Sequence, residues 1–103
     1  MSDHQGQESS MPLLTLFVTG TAPRSQRARA NLAKMLEHID RSDIQPYEID
    51  LLEQPNQGIT YSVFATPSLL KTSNTGGVSM LYGDLSDDQQ LGRFLEDLKP
   101  ISD

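Results

Sequence analysis

Residues 13–52 read LLTLFVTGTAPRSQRARANLAKMLEHIDRSDIQPYEIDLL, and this stretch decides the fold. Leu13 to Thr19 is a short apolar run of strand-forming residues, as expected for a strand buried on both faces at the centre of a sheet. Gly20-Thr21-Ala22-Pro23 breaks it, and Pro23 suits the first turn of a helix, where the missing N–H is no loss. Ala28, Leu32, Met35, Leu36 and Ile39 then recur on one helical face. Asp40 to Gln45 is a polar loop, and Pro46 to Leu52 alternates Tyr47, Ile49 and Leu51 with Glu48 and Asp50, the pattern of a second strand. Strand, helix and strand over this length make a βαβ unit with parallel strands and a right-handed crossover.

Gln54 to Gly58 reads as a turn, and Ile59 to Phe64 (ITYSVF) has strongly strand-forming composition. A short strand, Ser68 to Lys71, follows Thr66-Pro67. Ser73 to Gly77 suits a hairpin loop, and Val78 to Tyr82 is the returning strand. Beyond the turn Gly83-Asp84-Leu85, Ser86 is the expected N-cap, with Asp87 and Asp88 in the first turn and Gln89 behind them. Leu91, Phe94, Leu95 and Leu98 give the last helix one apolar stripe, weakened by Gly92 by roughly 1 kcal/mol relative to alanine.

The chain has 103 residues, one domain's worth. Residues 1–10 and 100–103 read as disordered or short polar tails, leaving a folded unit over 11–99. The net charge of −6 disfavours nucleic acid as a partner. Its distribution is uneven, however. Arg24, Arg27, Arg29, Lys34 and Arg41 make the first half basic, whereas Asp84, Asp87, Asp88, Glu96 and Asp97 make the last third acidic. A protein partner with mixed charge fits that pattern. The chain contains no cysteine, so disulfides, thiol redox chemistry and thiolate metal sites are excluded. Without a signal-like or membrane-length apolar segment, a soluble cytoplasmic protein with no membrane role is expected.

Few residues invite catalysis. His4 and His38 are distant in sequence and lack the ligand spacing of a metal site. Asp87 and Asp88 are accounted for by helix capping, leaving Asp84 less well explained. Ser25 reads as a surface serine without a base. The glycines lack phosphate-loop spacing. The cations of the first helix are either a solvated face or a docking surface.

The order of motifs resembles the KaiB family. Leu16-Phe17-Val18-Thr19-Gly20 with Ala22-Pro23-Arg24-Ser25 is similar to its opening strand and turn, and Tyr47 to Leu51 to its second strand. Gln54-Pro55 is similar to its N-P turn, Ala65-Thr66-Pro67-Ser68-Leu69 to its ATPTL motif, and Gly83-Asp84-Leu85-Ser86 to its GDLS motif as it stands. The likeness spans residues 14–98. It implies a single α/β domain with the thioredoxin-like order βαβαββα, a cis peptide before Pro67, and an alternative packing of the second half. The redox CxxC of that superfamily would fall in the turn at Thr21 to Ser25, which has no sulfur.

By the same resemblance the protein works by binding, without catalysis, cofactor or metal. The implied partners are a KaiC-like ATPase, and a KaiA-like protein or a histidine kinase. A homo-oligomer, dimer or tetramer, is a further expectation. The partner surface is expected at Arg24, Arg27, Gly83 and Asp84. The conflict between strand-forming composition and an implied second helix marks Ile59, Tyr61, Val63 and Phe64 as fold-switch candidates. The family's proline-rich segment with a basic pair is absent from Ser73 to Tyr82, which points to a divergent or non-cyanobacterial member. Competing readings are an adaptor acting on a histidine kinase or stress regulator and, last, a thioredoxin-type enzyme.

Overall fold

A computed structural model describes residues 12–73 and 76–100. The expected tail at 1–10, residues 101–103 of the expected tail at 100–103, His4, and the hairpin tip Asn74-Thr75 lie outside the described residues. The elements run β1 (Leu14–Val18), α1 (Pro23–His38), β2 (Tyr47–Asp50), α2 (Pro55–Thr60), β3 (Ser68–Thr72), β4 (Val78–Tyr82) and α3 (Asp88–Phe94), followed by a 3-10 turn at Glu96–Leu98. The sheet order is β2-β1-β3-β4. β1 pairs parallel with β2, placing Phe17 beside Ile49, and antiparallel with β3, placing Leu16 beside Leu69. β4 closes the sheet antiparallel to β3.

The central position of β1 explains its unbroken apolar run, because all of Leu14–Val18 is buried. Leu14, Leu16 and Val18 face one layer, with Ala28, Leu32 and Leu36 of α1 and Leu91, Leu95 and Leu98 of the C-terminal segment. Each fully buried leucine there stabilises the fold by about 1.5–3 kcal/mol. Phe17 faces the opposite layer with Ile49 and Leu70, covered by Leu51, Tyr61, Val63 and Met80. That second layer is thin, since α2 buries none of its residues. On the same face the hydroxyls of Ser68 and Thr72 are buried without a hydrogen-bond partner.

Pro23 opens α1. The helix ends in a Schellman arrangement with Asp40 at φ +60°: the Asp40 N–H donates to Glu37 O, and the Arg41 N–H to Leu36 O at 2.8 Å.

Several local expectations are corrected. The second helix starts at Pro55, inside the stretch read as a turn, and takes only Ile59-Thr60 from the strand-forming segment. It stops because Ser62 turns to φ +56°, with Val63 N–H bonding back to Gly58 O. Tyr61 and Val63 of this segment pack instead over Phe17, Ile49 and Leu70 on the face of the sheet, so its strand propensity is overridden. The N-cap of α3 is Asp87, not Ser86; its carboxylate accepts from the Gln90 N–H at 3.1 Å. Ser86 instead gives its N–H to Asp84. The inward alternation of β2 holds at Ile49 and, partly, Leu51, while Tyr47 is exposed. The reason is cover: α2 packs Gly58 against Leu51 and leaves the Tyr47 end of this edge strand open.

Candidate functional site

The site gathers at the end of the sheet where β1 runs into α1. Gly20 takes φ +52° there, which a side chain would resist, and Leu52 leaves little room for one. Three polar side chains hold the turn. Asp50 Oδ1 accepts from the N–H groups of Gly20 (3.0 Å) and Leu52 (2.9 Å). Arg29 Nη2 donates to Gly20 O at 3.0 Å while its Nε pairs with Glu48. Ser25 Oγ accepts from the Thr19 N–H at 3.0 Å. Ser25 is 1% exposed, which corrects its reading as a surface serine. It lies on the inward face of α1 with Ala28 and Leu32, and its hydroxyl serves as a turn acceptor.

Across from this turn stands the loop before β3. The Thr19 and Thr66 hydroxyls hydrogen-bond at 2.5 Å, and the Thr66–Pro67 peptide is cis. Pro67 O accepts from the Gly83 N–H at 2.9 Å, tying that loop to the segment after β4. Gly83 has φ +116°, a conformation that a Cβ would oppose. Leu85, at φ +65°, is a bulky residue in the left-handed region, held there by a side chain buried in the main core.

Between these positive-φ residues, Asp84 is fastened on every side. Oδ2 accepts from Arg27 Nε at 3.0 Å, Oδ1 accepts from the Ser86 N–H at 3.1 Å, and the Asp84 carbonyl accepts from Asn31 Nδ2 at 2.9 Å. Hydrogen bonding from Ser86, and then from Arg27, holds the carboxyl below its ordinary range. Arg24 Nη2 lies 3.9 Å from the point where a Cβ on Gly83 would stand. Arg24, Arg27, Gly83 and Asp84 therefore form one patch, with Pro67 tied to it through Gly83.

The remaining candidates divide. Tyr61 and Val63 pack on the α2 side of the sheet, with the Tyr61 ring 5.5 Å from Phe17. Ile59 and Phe64 point to solvent, Phe64 with its ring 6.5 Å from that of Tyr82. Of the cations on and just after α1, Arg27, Arg29 and Arg41 are engaged within the chain; Arg41 donates to Leu98 O and pairs with Asp43. Sequence reasoning missed Asn31 and Asp50. An aspartate ending a strand before a turn is a local signal that would have found Asp50. Asn31 carries no such signal, because its partner is 53 residues away.

Chemically the patch offers a charged surface and rigid turn backbone. Ser25, beside it, has its hydroxyl committed to a backbone amide, and Ser86 is bonded to the Asp84 carboxylate. Among the described residues no group of three His, Asp or Glu side chains is placed to hold a metal, and no helix is long and apolar enough to cross a membrane.

Sheet order, connectivity and the proline loop facing the first helix turn define a thioredoxin-like protein, here with no sulfur at the redox turn. The fold compares accordingly with mitochondrial thioredoxin 3 of Saccharomyces cerevisiae, at TM-score 0.66 and 15% identity over 82% of this chain and 76% of that one. It also matches the N-terminal domain of Synechococcus elongatus SasA, at TM-score 0.64 and 28% identity over 99% of this chain and 100% of that one. The KaiB domain model matches residues 15–96. The circadian clock oscillator protein KaiB of Prochlorococcus marinus (strain MIT 9312) is 34% identical over 79 residues, covering 77% of this chain and 74% of the relative. The circadian clock protein KaiB3 of Synechocystis is 32% identical over 80 residues, covering 77% and 76%. The chain belongs to the KaiB family.

Proposed function

We propose that this chain is a non-catalytic clock or timing protein of the KaiB type that docks on a KaiC-like ATPase through the patch at Arg24, Arg27, Gly83 and Asp84. The observation that carries the reading is the convergence of these residues, chosen from two distant motifs, on one rigid surface. The mixed charge of the patch suits a protein partner better than a polyanion. A pull-down with a cognate KaiC-like hexamer, in ATP and in ADP, tests it directly. Binding in one nucleotide state is expected, and binding in neither removes the reading.

The likeness to the SasA N-terminal domain, over nearly the full length of both chains, supports a second reading. Here the chain is an adaptor that acts in trans on a histidine kinase or stress regulator. Capture of such a protein in place of the hexamer would favour it.

Ile59, Tyr61, Val63 and Phe64 are proposed as the segment that changes structure between two packings. In support, α2 has six residues, no side-chain cap and no buried residue. A helix of that length has little stability of its own. Exchange of these amides between two resonance sets by NMR is expected; a single set over a range of temperatures would refute it.

A further inference from the structure

Between α1 and the edge strand β2 lies a cavity of about 450 Å³, open on one side. Its floor is Leu16, Leu32, Leu36 and Ile44, all buried members of the main core. Ala33 is the smallest side chain on the helix wall and leaves the space above that floor clear. The volume falls within the range of about 300–1,000 Å³ that small-molecule sites occupy.

The rim of this cavity carries Arg29, Glu37 and Glu48, one guanidinium against two carboxylates. Arg29 is fully committed. Its Nε pairs with Glu48, its Nη1 donates to Gln26 Oε1 at 2.9 Å, and its Nη2 donates to Gly20 O at 3.0 Å. The pair with Glu48 leaves Glu37 as the unbalanced charge. Glu37 makes no hydrogen bond or ion pair among the described residues. It also stands in the last turn of α1, at the negative end of the helix dipole, where a carboxylate is disfavoured. Ser42 and Gln45 complete the rim, and their side chains too are without a partner among the described residues. An apolar floor thus lies under a ring of free acceptors and one unanswered negative charge.

We propose that this cavity binds a small organic cation, an amine with a compact apolar body. The ammonium group answers Glu37 and the helix end, with Ser42 and Gln45 as further acceptors, and the hydrocarbon covers the leucine floor. The charges select against the alternatives. An anion of the same shape would meet Glu37 and find Arg29 already bonded. An inorganic cation, or an amine without a body, would gain nothing from the floor. The cavity shares no residue with the Arg24–Asp84 patch, so the inference is independent of what that patch binds.

The test is an NMR titration of the full chain with phenethylamine, up to about 10 mM, a range suited to so small a ligand. Ethylamine and 3-phenylpropanoate serve as the amine without the body and the body with the opposite charge. Saturating shifts of the Ala33, Glu37, Ile44 and Glu48 amides are expected. The Kd for phenethylamine should be about tenfold lower than for either control. Glu37→Lys should raise that Kd roughly tenfold or more, and the fold should be kept, since a cation suits the end of a helix. Ala33→Leu fills the cavity with a good helix former and should abolish the shifts. Absence of saturable shifts overturns the proposal, as does equal binding of 3-phenylpropanoate or an unchanged Kd in Glu37→Lys. Tighter binding of Nα-acetyl-lysinamide than of phenethylamine would give the cavity to a side chain of a partner protein and also overturn it.

Discussion

Arg27 Nε donates to Asp84 Oδ2 at 3.0 Å, joining the first turns of α1 to a turn 57 residues later. The contact fixes the orientation of the turn in which Gly83 and Leu85, both at positive φ, flank a carboxylate. Arg27→Ala and Asp84→Asn should each loosen this turn, seen as faster exchange of the Ser86 amide. The double variant should exchange little faster than Asp84→Asn alone, because both changes remove the same bond. Additive effects would show that the pair does not hold the turn.

Arg24 separates docking from folding. It borders Gly83 but is not part of the Arg27–Asp84 bond. Arg24→Glu should weaken capture of a KaiC-like hexamer while leaving unfolding stability within about 0.5 kcal/mol, as for an ordinary surface change. Urea denaturation beside the pull-down checks both parts.

The carboxyls of Asp84, Asp43 and Asp97 are held below the ordinary 3.8 by hydrogen bonds, chiefly from Ser86, Arg41 and Lys71 respectively. A lowered folded value means that the stabilisation is complete above about 3.8 and is lost as pH falls through the folded values. Stability due to these groups should therefore be flat from pH 7 to 5 and decline below 4. Asp84→Asn should make the acid limb shallower in urea titrations at several pH values.

Ser25→Ala leaves the Thr19 N–H without its acceptor in a part-buried turn, at a loss of about 1–3 kcal/mol. Ser68→Ala should act in the opposite direction, raising stability by about 1 kcal/mol, because the Ser68 hydroxyl is buried with no partner. Two serines of the same exposure class thus give opposite signs in thermal melts. Equal losses would contradict the hydrogen-bond assignment.

Ile59 lies in the last turn of α2 with its side chain in solvent. Ile59→Ala should favour the helical state by a few tenths of a kcal/mol through propensity alone. It should also lower the population of any strand-containing alternative in NMR exchange. An increase in that population would reverse the assignment of this segment.

The sequence alone determined the features that repeat over short distances. The apolar run of Leu14–Val18, the helical stripe of Ala28, Leu32 and Leu36, and the placement of Pro23 are set by neighbours a few residues away. They announce a central strand, a packed helix and a βαβ unit before any contact is known. Motif order carried the family, and the absence of cysteine removed thiol chemistry. Only tertiary structure decided what depends on chain closure. It buried Ser25, moved the α3 cap to Asp87, laid ITYSVF over the face of the sheet and not in its ladder, and brought Arg27 to Asp84. Local periodicity reports which face of an element is apolar. Which polar atoms meet across that face is settled by packing between segments tens of residues apart.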